Sequence, residues 1–467
     1  MISAVREYLV KRGYEVNDNA YRIISESDEW YRAKETEAHK RMTVQGQHYS
    51  LLRMGFGRRM AADDANLCEV IEINAGGDND AQYEFVRDVL ADNRFDTQYR
   101  TQLELTAAEG TTACYAWMDG VQLNEDNTVV QGSGRIRLNY VEASGYIPLT
   151  VENGDVLEAA FWGEDYIGTE KRTTLVIYTL DKMSGVYMQD VVVFDKDGKQ
   201  IPERAQSAQL GNVRPFAVMR TAQANTFEDM QGFGYPKLYN VIPVLLTLDA
   251  AFTAFAGDID TADKIVLINE QLCKFDENGK PITPNEQMKR RFVMLGEKLP
   301  DQKDLVHEIV PAVRVDSFRE SIETLLSLLT QQFGYGSRKY TLDKDSGALM
   351  TATQYVGERQ DMLMELNRQR FEAREYIRGI VRAILWFSNA FGGTAWDIDA
   401  DVLVEFDDSY ITSKAEQLED MRNDILSGIG GAYVRKQYLM QKYNLTEEEA
   451  QKWAATDDPD AKAEPGD

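Results

Sequence analysis

The spacing of apolar and polar residues divides the chain into helical and strand-like stretches. Residues 1–60 carry apolar positions at helical spacing, in AVREYLVKRGY and YSLLRMGFGRRMA, and predict helices. A weak strand follows at 68–73, and 82–93 again has the helical spacing. Residues 101–120 continue as helix and then turn to the alternation of a strand. The first quarter of the chain is therefore predicted to be mainly helical.

A different pattern begins near residue 112 and lasts to about residue 222. Apolar and polar residues alternate there, as in half-buried strands. Asn-Gly, Ser-Gly and Asp-Gly pairs at 153–154, 184–185 and 197–198 separate the alternating runs. Such pairs are typical of tight hairpin turns. This region predicts an antiparallel β unit inserted among helices.

A long apolar stretch at 236–264 predicts a single helix of roughly 40 Å. Pro236 lies near its start, where a missing N–H matters little, and Pro243 lies inside it, where we expect a kink. Residues 265–313 contain three short strand-like runs separated by turns. A second helix is predicted at 316–334, so the small β module lies at the tip of a helical hairpin.

A loop at 337–350, which includes DSGALM, leads into a helix predicted over 351–391. A strand is predicted at 401–409, and two short helices follow at 414–428 and 446–456. The last residues are acidic and contain proline, so we expect them to be disordered. The order of elements is helix, small β module, helix, loop and long helix.

The charge balance argues against general nucleic-acid binding. The formal net charge is −26, and such a surface does not neutralise phosphates over its whole area. It suits either solubility or a surface that lets a polyanion pass without holding it. Residues 264–314 are close to neutral and contain the basic cluster Lys289, Arg290 and Arg291. This cluster could face DNA or an acidic partner, or it could protect a solvated strand edge.

Targeting segments and redox chemistry are not indicated. The segment 1–18 carries charges within its apolar pattern, unlike a signal peptide. The most apolar stretch, 241–257, contains Asp249 and is shorter than a membrane span requires. Three cysteines without metal-ligand spacing are expected to be buried thiols, and three histidines supply a metal or triad site poorly.

Motifs for nucleotide, hydrolase and zinc-protease chemistry are absent from the sequence. One acidic run, DIDADVLVEFDD at 397–408, resembles a calcium-binding loop in its carboxylate spacing. Its sixth position is Val402, where such a loop requires glycine, and VLVEF alternates like a strand. We therefore predict an acidic turn leading into a strand, with no catalytic residue, metal or cofactor.

Several stretches together resemble the portal proteins of tailed phages with long non-contractile tails. The stretches are LLRMGFGRRMAADDANLCEVIEIN, RLNYVEASGYIPLTVENGDVLEAAF, RPFAVMRTAQANTFEDMQGFGYPKLYNVIPVLLTLD, MTATQYVGERQDM and LSGIGGAYVRKQYLMQKYNLTEEEAQK. Each stretch alone is weak evidence, but the stretches occur in the order typical of the family and together span nearly the whole chain. Gln354 departs from the family pattern, where Glu is usual, and leaves the implied fold unchanged.

The resemblance implies an α+β portal fold that assembles as a ring, with parts named wing, stem, clip and crown. The implied division is wing 1–235, first stem helix 236–264, clip 265–315, second stem helix 316–336, tunnel loop 337–350, long wing helix and strand 351–409, crown 410–456 and disordered acidic tail 457–467.

The resemblance also implies two functional segments. The tunnel loop would project into the channel, and its side chains nearest DNA would be Leu342, Lys344, Ser346, Gly347, Leu349 and Met350. Glycine permits backbone angles that other residues avoid, so Gly347 would let the loop bend as DNA passes. In the clip, Lys289, Arg290 and Arg291 would contact a partner protein.

The implied function is that of a non-enzymatic portal. A ring of typically twelve copies at one capsid vertex would conduct double-stranded DNA during packaging and ejection, and would initiate procapsid assembly in the host cytoplasm. The implied partners are the large terminase subunit, head-completion or adaptor proteins, and the major capsid and scaffolding proteins, without a membrane. Two alternatives are another minor structural protein of the virion head and a metal-dependent DNA phosphodiesterase that uses Asp397 and Asp399.

Overall fold

The computed structural model describes most of the chain. The described residues are 3–42, 46–75, 79–122, 124, 130–168, 170–262, 265–269, 274–275, 277, 281–282, 292–295, 306–309, 312–335, 339–340, 352–407, 418, 421–423, 425–427, 431–443, 445, 450 and 453.

Helices and strands alternate along the chain, and the described strands pair into six sheets. The helices are α1 (Ser3–Lys11), α2 (Asp18–Tyr31), α3 (Phe56–Asn66), α4 (Asp80–Asp92), α5 (Phe95–Glu109), α6 (Lys237–Thr261), α7 (Val315–Gln332), α8 (Ala352–Gly392) and α9 (Gly431–Tyr443). The strands are β1 (Lys40–Met42), β2 (His48–Ser50), β3 (Val70–Asn74), β4 (Thr111–Asp119), β5 (Arg135–Glu142), β6 (Tyr146–Glu152), β7 (Asp155–Ile167), β8 (Glu170–Asp181), β9 (Val186–Phe194), β10 (Gln206–Gln209), β11 (Phe216–Arg220), β12 (Ile265–Asn269), β13 (Lys274–Phe275), β14 (Pro281–Ile282), β15 (Phe292–Leu295), β16 (Val306–Ile309) and β17 (Leu403–Phe406).

The predicted β unit forms two antiparallel sheets. One has the order β10-β9-β8-β7-β6 and the other the order β11-β4-β5. Between β6 and β7, Asn153 and Gly154 have φ angles of 51° and 81°. Two successive positive φ values are what a two-residue hairpin turn of the primed type requires, and Asn-Gly adopts them readily. The alternating sequence and its turn pairs thus predicted this region well.

The main core joins α6 and α8 to the sheets and to α5. Leu238, Val241 and Leu248 of α6 are buried, and so are Ile377 and Ile384 of α8. They belong to one apolar cluster, which continues into α5 and the three-stranded sheet. A smaller cluster packs α1 against the five-stranded sheet. Because burial of apolar area is the main favourable term in folding, α6 is tied firmly to the body where these residues lie.

The two helices predicted on either side of the small β module are present with nearly the predicted bounds. Helix α6 covers 237–261 against the predicted 236–264, and α7 covers 315–332 against 316–334. Strands β12, β15 and β16 between them correspond to the three predicted runs. Strand β12 is central, parallel to β15 and antiparallel to β16.

Two parts of the sequence prediction were wrong or incomplete. Residues 40–42 and 48–50 form the antiparallel hairpin β1–β2, not a helix. Helix α3 begins only at Phe56, because Gly55 has a φ of 66°, outside the right-handed helical region. Helix α9 lies between the two short C-terminal helices predicted, and was not predicted as a separate element.

Two of the cysteines are buried free thiols, as expected. They are Cys68 and Cys114, and burial raises the pKa of Cys68 to about 12. Such a thiol is not reactive at neutral pH. Cys273 lies outside the described residues.

Candidate functional site

The helical hairpin that carries the small β module is the first candidate. The rings of Phe255 in α6 and Phe318 in α7 lie 5.5 Å apart. Arg314 donates two hydrogen bonds of 2.8 and 2.7 Å to the carboxylate of Asp258. These contacts join the end of α6 to the start of α7, so the two helices bring the module's entry and exit together.

Helix α6 changes its environment along its length. Leu238, Val241, Leu245 and Leu248 are buried, whereas Ile259 near the other end is 52% exposed. By length and composition alone, the segment 237–260 could cross a membrane. The prediction that no membrane span is present considered only the shorter run 241–257. Only 28% of the most apolar window of 237–260 is buried within the chain. The second half of α6 therefore presents apolar surface that the described part of one chain leaves uncovered.

A buried contact between a histidine and a carboxylate holds the middle of α6. His39 Nε2 lies 3.2 Å from Oδ2 of Asp249, and both side chains are buried. The backbone N–H of Met54 donates to Oδ1 of Asp249 at 2.8 Å. Burial raises the pKa of Asp249, although Met54 and His39 oppose the rise. Asp249 is thus a fixed connection between α6 and the segment that precedes α3.

A second buried network lies where α7 ends and α6 begins. Lys237 Nζ donates to both oxygens of Asp64, at 3.0 and 3.2 Å. It also lies 3.0 Å from Oε1 of Glu365 in α8. The hydroxyl of Tyr335 donates to Oδ1 of Asp64 at 2.7 Å. We call Asp64, Lys237, Tyr335 and Glu365 the anchor network; it joins α3, α6, α8 and the residues after α7.

The anchor network extends to the edge of the predicted tunnel loop. The hydroxyl of Tyr340 donates to Oδ2 of Asp63 at 2.7 Å, and Arg59 Nε lies 3.1 Å from the same oxygen. Lys339 Nζ stands 3.7 Å from the centre of the Tyr335 ring. The rings of Phe56 and Tyr340 meet edge to face at 4.9 Å. Residues 339–340, which belong to the predicted tunnel loop 337–350, are therefore held on α3.

The electrostatics of the network favour a fixed structure. Burial disfavours the ammonium of Lys237, but Asp64 and Glu365 outweigh burial and its pKa lies above the usual value. Burial beside Asp64 raises the pKa of the Tyr335 phenol well above its usual value. Burial also lowers the pKa of Lys339, against the attraction of Asp63. At neutral pH Lys237 is charged and Tyr335 is a hydrogen-bond donor, the states that the observed contacts require.

The residues predicted to act in the tunnel loop and clip cannot be compared with this geometry. Leu342, Lys344, Ser346, Gly347, Leu349 and Met350 lie outside the described residues, as do Lys289, Arg290 and Arg291. The acidic run at 397–408 is described up to residue 407. Asp399 binds Arg382 at 2.5 Å and donates its N–H to Asp397, while Leu403–Phe406 pairs with β3. No group of three metal-ligating side chains occurs among the described residues.

Sequence reasoning missed the anchor network. The available signal was Asp63-Asp64 in α3, where apolar residues at 57, 60, 61 and 65 mark the inner face. Acids on an inner helical face need partners. The partner Lys237 is 173 positions away, so one sequence could not identify it.

Comparisons with known proteins give a family. Three solved structures are similar to this chain with TM-scores of only 0.39, and this chain covers 89% of each. The neck of an empty GTA particle computed with C6 symmetry is 12% identical over 80% of this chain, and the virion of a native gene transfer agent (GTA) particle is 11% identical over 85%. The neck of a native GTA particle computed with C12 symmetry is 12% identical over 82% of this chain. No curated protein matches significantly. The profile of the family described as "Phage portal protein, SPP1 Gp6-like", whose members are structural proteins and not enzymes, matches residues 16–463. The chain therefore belongs to the SPP1 Gp6-like family of phage portal proteins.

Proposed function

We propose that this chain forms a closed ring, typically of twelve copies, at one vertex of a phage capsid. The ring is the channel through which double-stranded DNA is packaged and later ejected, and it nucleates procapsid assembly. Membership of the portal family supports this proposal. In the chain itself it depends chiefly on one observation, the uncovered apolar surface on the second half of α6.

An apolar helix face of this kind needs a cover. Ile259 near the end of α6 is 52% exposed, and Val315 at the start of α7, next to the Arg314 that binds Asp258, is 51% exposed. Contiguous exposed apolar surface on a soluble chain usually marks an interface. In a ring each copy covers its neighbour, and the stem helices line the channel.

The anchor network gives the tunnel loop a fixed base. Tyr335, just before the loop 337–350, donates to Asp64 at 2.7 Å, and Tyr340, near the start of the loop, donates to Asp63 at 2.7 Å. A loop with a fixed base projects into the channel at a defined height while its middle adapts to DNA. In this arrangement Leu342, Lys344, Ser346, Gly347, Leu349 and Met350 face the DNA.

The net charge of −26 has a role in such a channel. Twelve copies multiply it, and an acidic channel wall repels phosphates and keeps hydrated DNA from adhering. If charge reversal of acids on the stem helices left packaging rate and ejection unchanged, this role would be wrong.

The remaining proposed contacts follow the division into parts. The packaging ATPase docks on the clip, 265–315, through Lys289, Arg290 and Arg291, and head-completion proteins replace it. Capsid and scaffolding proteins contact the wing, 1–235. The protein then resides at the portal vertex of the virion, after assembly in the host cytoplasm.

The decisive experiment is native mass spectrometry of the purified chain, together with class averages of negatively stained particles. Twelve chains of 53.0 kDa give about 636 kDa, and we expect this mass with a central hole. Open or irregular assemblies would contradict the ring, as would chains that remain single under assembly conditions.

A further inference from the structure

The segment around the hairpin β1–β2 has an unusual charge pattern. Residues 38–62 contain five Lys and Arg residues and no Asp or Glu, in a chain whose net charge is −26. The hairpin β1–β2 lies inside this segment and carries Lys40 and Arg41. The guanidinium of Arg41 donates to backbone carbonyls of Ala38 and Lys40, and among the described residues no carboxylate pairs with it. Lys40 contacts the exposed Glu37 just before the hairpin, and the strand residues themselves, 40–42 and 48–50, include two basic and no acidic side chains.

The same hairpin is largely exposed within one chain. Met42 is 65% exposed and Tyr49 is 47% exposed, and Leu52, just after the hairpin, is also 47% exposed. An isolated two-stranded hairpin is only marginally stable in water. A mixture of exposed apolar and basic side chains fits an acidic protein surface better than a phosphate backbone, which offers no apolar contact.

The base of the hairpin is fixed on α6. The N–H of Leu52 donates to Thr253 Oγ1 at 2.8 Å, and the N–H of Met54 donates to Asp249 at 2.8 Å. The N–H of Leu51 donates to the carbonyl of His39 at 3.0 Å. The hairpin therefore keeps its position beside α6, as a docking element must.

Helix α7 packs on the opposite side of α6. Asp249 and Thr253 face the hairpin, whereas Phe255 and Asp258 contact α7. An α-helix turns about 100° per residue, so Asp249 and Asp258 point about 180° apart. Thr253 and Phe255 point about 200° apart by the same rule. One chain thus presents the hairpin on one flank of α6 and α7 on the other.

The outward surface of α7 is acidic with apolar positions. The helix contains Asp316, Glu320 and Glu323 and a single basic residue, Arg319, which lies 3.7 Å from Asp316. Asp316 and Glu320 are exposed, and Leu328 is 43% exposed. A ring needs two different complementary surfaces on each copy, because its contacts are head to tail. The two flanks of α6 supply such a pair.

We infer that the hairpin β1–β2 of one copy docks on the acidic outer surface of α7 in the next copy. Arg41 and Tyr49 pair across the hairpin and share one face, whereas Lys40 and Met42 lie on the other face. Arg41 lies against Glu320 and Tyr49 against the apolar surface towards Leu328, while Lys40, at the edge of the contact, adds attraction to Asp316. This inference rests on the proposed ring and specifies one of its contacts, outside the clip and the tunnel loop.

A charge swap tests the contact. The variant K40E/R41E places acidic side chains opposite the acids of α7 in the next copy. We expect the ring fraction in native mass spectrometry to fall by about tenfold or more. Adding D316K/E320K restores opposite charges, and we expect rings to return. The matched control is K171E/K182E, which makes the same charge change at exposed lysines paired with Glu164 and Glu152 on the β unit. Circular dichroism checks that every variant is folded.

Each outcome decides the matter. Rings lost in K40E/R41E, regained in the fourfold variant and kept in the control support the contact. Rings that persist in K40E/R41E contradict it and leave the ring proposal standing. Loss without recovery contradicts α7 as the docking surface. If K40E/R41E rings persist but retain less duplex DNA than wild-type rings at the same salt concentration, the hairpin contacts nucleic acid and the inference is wrong. Wild-type chains that form no ring contradict the ring and the contact together.

Discussion

The two halves of α6 differ in how fully the rest of the chain buries and pairs their side chains. In the first half, Lys237 is buried in the anchor network, and Leu238 and Leu248 are fully buried. In the second half, Ile259 is 52% exposed. The first half is covered within one chain, whereas the second half keeps apolar surface that the described part of the chain does not cover. The two ends of one helix therefore differ, and the proposed ring would cover the exposed end.

Buried ionisable groups in the body show a related contrast. Lys237 has two carboxylate partners. Glu109 is 1% exposed, and its carboxyl accepts a hydrogen bond of 2.9 Å from the backbone N–H of Ala143. Burial raises the pKa of Glu109 to about 8, and Glu142 and Asp28 add to the rise. The charge of Lys237 is compensated by its partners, whereas burial keeps Glu109 mostly protonated at neutral pH, so replacing each by a neutral residue should have opposite effects on stability.

The largest effect is expected from Lys237→Met. This change leaves Asp64 and Glu365 buried without their cation, and breaking a buried pair in this way costs about 3–5 kcal/mol. The free energy of unfolding, measured in urea, should fall by this amount.

The control for Lys237 is Lys182→Met. Lys182 forms an exposed ion pair with Glu152, and such pairs contribute about 0–1 kcal/mol. Equal losses in the two variants would show that the anchor network adds nothing beyond a surface pair.

The next effect concerns packing in the first half of α6. Leu248 is fully buried, and Leu248→Ala removes buried methyl groups and leaves a cavity. We expect the free energy of unfolding to fall by about 2–5 kcal/mol. A loss well below this would mean that α6 packs loosely on the body, and the comparison between its halves would not hold.

Glu109→Gln should stabilise the chain, because at neutral pH folding requires the buried Glu109 carboxyl to take up a proton that the unfolded chain has released, and Gln needs none. The unfolded chain releases this proton near pH 4.5 and the folded chain near pH 8. The raised pKa therefore leaves stability intact below pH 4.5 and lowers it as pH rises towards 8. At pH 7 the gain from Gln has an upper limit of about 3 kcal/mol, since one pKa unit corresponds to about 1.4 kcal/mol.

Urea unfolding at pH 5 and pH 8.5 measures this effect. The wild type should lose stability between the two pH values, and Glu109→Gln should lose less. Glu152→Gln is the control, because Glu152 is exposed. Equal pH dependence in wild type and Glu109→Gln would show that Glu109 titrates normally.

The sequence predicted those elements whose pattern is local. The long apolar run of α6 and the turn pairs of the β unit identify their structures without reference to the rest of the chain. The hairpin β1–β2 was missed because its second strand begins a run, YSLLRMGFGRRMA, whose apolar residues also fit helical spacing. Gly55, with a φ of 66°, precedes the first residue of α3. The anchor network was missed because Asp64, Lys237 and Glu365 come from three distant helices. The tunnel-loop and clip residues remain predictions.

The smallest effect on stability is expected where the effect on assembly is greatest. Ile259→Ala changes a half-exposed residue, so the free energy of unfolding of the dissociated chain should change by less than about 0.5 kcal/mol. In a closed ring the same change is repeated in every copy, and small losses at each interface add up around the ring. Rings should therefore dissociate at higher protein concentration, as native mass spectrometry on dilution can measure. Val10→Ala is the control, because Val10 is 54% exposed on α1. If both variants dissociate like wild type, the second half of α6 is not covered by a neighbouring copy, and its exposed surface needs a different partner.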